Sequence, residues 1–155
     1  MNNITGGNTG KNTFRVERRN EMVESVNSQN QVFHFIDLNY LKEDIFFHGW
    51  IGNRTDEQIK AVIEGHFIEL FEKYRCTKTL IQNEAMTGSF SGLNIWVADY
   101  FMPKMISMGL KYNAVVLPKN LFAQLSVADW DNKITGFTSR NFKSSEEALT
   151  WLRSI

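Results

Sequence analysis

The stretch from Thr77 to Gly109 constrains this chain more than any other. Thr77-Lys78-Thr79-Leu80-Ile81-Gln82, entered from Cys76, has the β-branched and apolar character of a buried strand. Asn83 to Phe90 is a polar, glycine-containing turn. Ser91-Gly92-Leu93 then opens a helix that is apolar on nearly every side as far as Met108, and Gly109 closes it. A strand, a turn and an apolar helix in this order need a sheet to join and a layer to cover them, which places the chain in the α/β class.

Two features of that helix matter. Leu93, Trp96, Val97, Tyr100, Phe101 and Met105 form one stripe, while Ile95, Ala98, Met102, Ile106 and Met108 spread over the other side. A helix on one sheet needs a single apolar stripe, so the second side predicts a second cover. Three covers are open: the N-terminal arm, a second copy in a homodimer, or an apolar ligand such as a lipid or fatty acid. Ile95, Tyr100, Met102 and Ile106 are the candidate dimer or pocket face. Pro103 has no N–H for the Asp99 carbonyl and predicts a kink.

The other elements follow from local pattern. Residues 1–13 are rich in Asn, Thr and Gly and predict a disordered tail. Gly6-Gly7-Asn8-Thr9-Gly10-Lys11 in that tail is one residue short of a phosphate loop, lacks the following Ser/Thr and has no preceding strand. Residues 14–30 read equally as a short helix or a packed arm. Gln31 to Asp37 and Asp44 to Ile51 are aromatic and β-branched runs that predict an antiparallel hairpin across Leu38 to Glu43. His34 and His48 can face each other across it, and two strand histidines beside aromatics are ordinary packing. Thr55 to Arg75 is an amphipathic helix with Thr55 and Gln58 as a capping box. Asn113 to Leu117 is a short buried strand stopped by Pro118, and it should lie beside Thr77 to Ile81. Leu121 to Ala128 predicts a short helix, Ile134 to Phe142 an edge strand, and Ser144 with Glu147 the start of a last helix. The order is β-β-α-β-α-β-α-β-α, a mixed sheet with an N-terminal hairpin and about four helices, in one domain over 31–155.

Composition narrows the function. Seventeen basic residues balance seventeen acidic ones, so no basic field gathers nucleic acid. One cysteine excludes an intrachain disulfide and a cysteine-only zinc site. No stretch has the ~20 apolar residues of a membrane span and the start is not a signal peptide, which predicts a cytoplasmic chain. Cys76, His34, His48, His66 and the surface carboxylates show no nucleophile, base and orienting group in sequence, so no catalytic residue, metal or cofactor is assigned.

The turn Asn83 to Gly92 is the candidate binding surface, with Asn83, Thr87, Gly88, Ser89, Ser91, Gly92 and Trp96 as its site residues. It follows a parallel strand, at the end where open α/β sheets present ligands. Its polar side chains and the N–H groups of the helix start suit a protein partner or a small anion.

The order of elements, together with Thr87-Gly88-Ser89-Phe90-Ser91-Gly92-Leu93, Tyr100 to Met105, Gly109 to Val116 and the Glu-Glu-Ala-Leu-x-Trp-Leu ending of Phe142 to Leu152, resembles the STAS domain. It is most similar to the short bacterial proteins of that type described as SpoIIAA-like. The resemblance implies a non-enzymatic regulatory module like the anti-sigma-factor antagonists. It aligns Ser91 with the serine whose phosphorylation breaks partner binding in those proteins. The Asp and one Ser of their motif are replaced here, with Ser89-Phe90 preceding Ser91.

Overall fold

The computed structural model describes residues 2–6, 13–88, 91–118 and 137–155. Among these residues eight strands hydrogen-bond in chain order: β1 (Asn2–Gly6), β2 (Phe14–Arg19), β3 (Met22–Asn27), β4 (Val32–Asp37), β5 (Ile45–Trp50), β6 (Lys78–Gln82), β7 (Tyr112–Val116) and β8 (Thr138–Phe142). β1 to β5 are antiparallel, and β5 to β8 are parallel. The fold is therefore α/β on a mixed sheet, and the sense of pairing switches at β5.

The hairpin predicted over Gln31 to Ile51 is present as β4 and β5, joined by the 3-10 helix Leu38–Glu43. Residues 14–30 are neither helix nor arm. They form the β2–β3 hairpin, whose alternating Phe14-Arg15-Val16-Glu17 carries the period-2 signal of a half-buried strand. Asn20 turns this hairpin at φ 55° and Asn30 turns the next at φ 61°, a backbone region that asparagine tolerates. Asn2–Gly6 pairs with the open edge of β2, an ordering that tail composition alone does not reveal.

Two layers cover the sheet. On one face, Phe46 and Trp50 of β5 join Val16, Val23 and Ile36 in a core closed by two helical segments. The first runs as α1 (Asp56–Val62), a wide π turn (Ile63–Phe67) and α2 (Ile68–Tyr74). Its Thr55–Gln58 capping box is complete. The second runs as a 3-10 turn (Ser91–Leu93), α3 (Asn94–Trp96), a π turn (Val97–Phe101) and α4 (Met102–Ser107), ended by Gly109 at φ +112°. Both crossovers join neighbouring parallel strands, and a shared hand puts both helical segments on this face. On the opposite face Ile45, Phe47, Leu80, Ala114 and Val116 pack under Ala148 and Leu152 of α5 (Ser145–Arg153), which Ser144 caps.

Thr79 to Ile81 and Asn113 to Val115 pair in parallel register inside the sheet, as the two apolar runs predict. β8 is the edge strand expected within Ile134 to Phe142. The helix expected over Leu121 to Ala128 lies outside the described residues. No helix among the described residues is long and apolar enough to cross a membrane.

Candidate functional site

The carboxyl ends of β5 and β6 are stitched together by the two loops that follow them. Gly52 N–H donates to the Ala85 carbonyl at 2.9 Å, and Thr87 N–H donates to the Gly52 carbonyl at 3.0 Å. Gly52 and Met86 thereby form a one-residue parallel bridge beyond the sheet. Met86 N–H closes the turn on the Asn83 carbonyl at 3.1 Å, and Asn83 N–H holds the Val116 carbonyl at 2.8 Å. Gly88 is required here. Its φ is +80°, and a Cβ would lie 2.8 Å from Asn53 Oδ1.

Arg54 completes the stitch. It is 7% exposed, yet no carboxylate among the described residues stands within ion-pair distance of it. Nη1 donates to the Thr87 carbonyl at 2.6 Å and reaches the Gly52 carbonyl at 3.4 Å, while Nη2 lies 2.7 Å from Met86 Sδ. Nε is buried and has no acceptor. Burial lowers the Arg54 pKa and the charge of Asp56 opposes that shift; a guanidinium is basic enough to remain protonated in a protein. A cleft of about 230 Å³ opens beside it. The β3–β4 turn supplies one wall through Asn27, Ser28 and Gln29, and the β5–α1 loop supplies the other through Asn53, Arg54, Thr55 and Gln58.

The residues expected from sequence divide. Thr87 and Gly88 are exposed on the stitched platform, and Asn83 is half-buried with Oδ1 lacking a partner. Ser89 lies outside the described residues. Ser91 is described only as the start of the 3-10 turn, so its side chain, and the phosphorylation expected of it, lie outside them as well. Gly92 abuts Asp56: a Cβ there would lie 2.7 Å from Asp56 Oδ2. A carboxylate thus stands where the sequence predicts an anion. The first α-helical piece is only the three residues Asn94–Trp96, with no side-chain cap. The Asp56 carboxylate opposes a second negative charge at this helix start.

The apolar helix face also separates. Ile95 is 77% exposed and Tyr100 41%, whereas Met102 is 5% exposed in the core and Ile106 packs partly against it. The π turn Val97–Phe101 is the reason. One extra residue in a turn shifts everything after it by about 100° around the axis. Met102 and Ile106 therefore leave the face that Ile95 occupies. Pro103, just beyond the π turn, has no N–H to donate to the Asp99 carbonyl, as the sequence foresees. Trp96 is half-buried, stacks on Phe101 with ring centroids 6.0 Å apart, and lies under the Lys60 ammonium at 5.7 Å. Met102, Ile106 and Trp96 thus pack in or against the core, while Ile95 and Tyr100 stay exposed.

The chain's three histidines converge on the same face of the sheet. His34 Nε2 and His48 Nδ1 are 3.2 Å apart, and the His34 and His66 ring centroids are 6.3 Å apart. His66 sits in the π turn beside Gly65, whose non-helical φ −91° and ψ −118° interrupt the helix, and its Nε2 is 3.5 Å from Ser25 Oγ. Burial pushes His48 down to about 3 and His66 to about 4. Burial, then the His48 and His66 charges, holds His34 well below the ordinary imidazole value. All three imidazoles are thus neutral packing groups at neutral pH. Among the described residues no three His, Cys, Asp or Glu side chains are placed to hold a metal ion. Cys76 is buried, and burial followed by Asp44 raises its thiol to about 11, so it is not a thiolate at neutral pH.

Arg54 is the residue that sequence reading missed. Its signal is weak: an arginine in Gly52-Asn53-Arg54-Thr55, between an aromatic strand and a capping box. The chain matches no protein-family model, no curated protein and no solved structure.

Proposed function

We propose that the protein is a non-enzymatic partner-binding module, regulatory in kind like the anti-sigma-factor antagonists that its sequence resembles. Its working surface is the platform formed by Gly52–Arg54 and Asn83–Gly88. The observation that carries this reading is the stitch between the two loops. Four interactions fix an exposed turn at the carboxyl edge of parallel strands: Gly52 to Ala85, Thr87 to Gly52, Met86 to Asn83 and Arg54 to Thr87. Open α/β sheets bind their ligands at that edge, and a rigid surface loses little entropy on association. Glu84, Ala85, Thr87 and Gly88 are all exposed on it.

The test is affinity capture from the cells that make the protein, with partners quantified by mass spectrometry. Thr87→Arg places a long cation on the platform, and Ile95→Arg places the same side chain on the exposed helix face. A partner retained by Ile95→Arg and lost by Thr87→Arg, at equal melting temperatures, supports the reading. The same partner set for Thr87→Arg and the unmodified chain refutes it.

A further inference from the structure

The Arg54 cleft has a more specific character than a protein-binding platform requires. Arg54 Nε is a buried donor with no acceptor, and leaving such a donor unpaired is unfavourable until an acceptor arrives. The Nη groups are already engaged with the Thr87 and Gly52 carbonyls and with Met86 Sδ, so the guanidinium is held in place. Gln58 stands on the same wall. Its Oε1 accepts Thr55 N–H at 2.9 Å, which turns the Nε2 donors away from that bond. Ser28 and Thr55 bring hydroxyls.

We propose that this cleft is a binding site for a monoanionic carboxylate, supplied by an acidic side chain of the partner. The proposal rests on the partner-binding reading and names what the platform's partner presents. The single positive charge of Arg54 matches one negative charge. A phosphate dianion would leave an excess charge beside Asp56, whose field already reaches Arg54. The volume of about 230 Å³ lies below the roughly 300–1,000 Å³ of sites that enclose drug-sized ligands, and it suits a short acidic side chain. Guanidinium is the group of choice for a partly desolvated carboxylate because its N–H donors are fixed in a plane.

The experiment is an NMR titration of the full chain with three probes at constant ionic strength: N-acetyl-glutamate N-methylamide, acetate and inorganic phosphate. Saturable shifts of the Arg54 Nε–H and of the Ser28 and Asn53 amides are expected with both carboxylates. Tighter binding of the capped glutamate than of acetate assigns the carboxylate to a peptide side chain, and equal binding assigns it to a free acid. Arg54→Lys keeps the charge without the planar donors and should weaken the response at least about tenfold. Gln29→Glu leaves Arg54 in place, puts a competing carboxylate on the wall and should weaken binding as well. Shifts that follow chloride equally, or that persist in both variants, overturn the proposal. So does saturation by phosphate alone. If neither carboxylate binds while Thr87→Arg still loses its partner, the cleft assignment fails and the platform reading stands. If the carboxylates bind while Thr87→Arg keeps its partner, the cleft stands without the platform.

Discussion

Nε2 of His34 and Nδ1 of His48 meet at 3.2 Å inside the core, one ring donating to the other across the β4–β5 pair. A hydrogen bond between two imidazoles requires an unprotonated acceptor nitrogen. The surrounding rings, Trp50 at 4.2 Å from His34 and Phe67 at 4.6 Å from His48, offer no counter-charge. Protons on His48 or His66 would further oppose a charge on His34, which burial already disfavours. Ser25, facing His66, contributes only a hydroxyl. The cluster is therefore built for the neutral state, and this sets its response to acid.

Stability should fall as pH drops below about 6.5, where unfolded histidines begin to take up protons. The folded values lie lower, at about 3 for His48 and about 4 for His66, with His34 also well below the ordinary value. Between these values the unfolded chain binds more protons than the folded one, so stability rises with pH and levels off above about 6.5. Each imidazole kept neutral contributes roughly 2 kcal/mol of loss between pH 7 and pH 5. Urea unfolding at both pH values measures this, and His66→Gln should remove about a third of the difference. Equal midpoints at pH 7 and pH 5 would contradict burial of the neutral rings.

Met102 and Ile95 should respond oppositely to the same substitution. Met102→Lys buries an uncompensated charge in the core and should cost roughly 3–5 kcal/mol. Ile95→Lys is on the exposed side and should stay within about 0.5 kcal/mol of the original chain. Thermal melts of the two variants decide it. Similar losses would mean that the π turn does not separate the two side chains.

Gly49→Ala should destabilise the sheet by roughly 3 kcal/mol. Gly49 occupies the middle of the sheet, where an added Cβ would collide with the Gln82 carbonyl of the neighbouring strand and lie 2.7 Å from Phe35 Cε1. Neither can withdraw without disturbing the β5–β6 pairing or the packing of the opposite face. A melting temperature unchanged by the substitution would exclude this close approach.

Asn113 carries a buried polar ladder across three parallel strands. Its Oδ1 accepts from Thr79 Oγ1 at 2.6 Å, and its Nδ2 donates to Ser139 Oγ at 3.2 Å. Asn113→Leu should cost about 1–3 kcal/mol, because the Thr79 hydroxyl loses its acceptor. Adding Thr79→Val should recover part of the loss, since removing both partners is less costly than stranding one. Denaturant melts of the single and double variants test this, and a double variant less stable than the sum of the singles would reverse the reading.

Local signals determined much of this protein. Thr55 and Gln58 specify their helix start, Gly109 ends its helix, and the aromatic runs around Leu38–Glu43 specify a hairpin. Each depends on residues within a few positions of one another, so sequence alone suffices. In residues 14–30 charges interleave with only a few apolar positions, so the local pattern does not choose between helix and strand. The pairing of β2 and β3 became legible only once β4 offered them a sheet edge. The π turns are another tertiary decision. Leu93 to Met108 reads as one continuous helix, yet an extra residue per turn moves Met102 into the core and leaves Ile95 outside. The candidate site is tertiary as well. Arg54 and Thr87 are 33 residues apart, and only the parallel pairing of β5 with β6 brings the loops after them together. Hydrophobic period and capping are local properties of a chain. Which backbone carbonyl an arginine finds, and which donor it leaves unpaired, depends on how the strands are ordered.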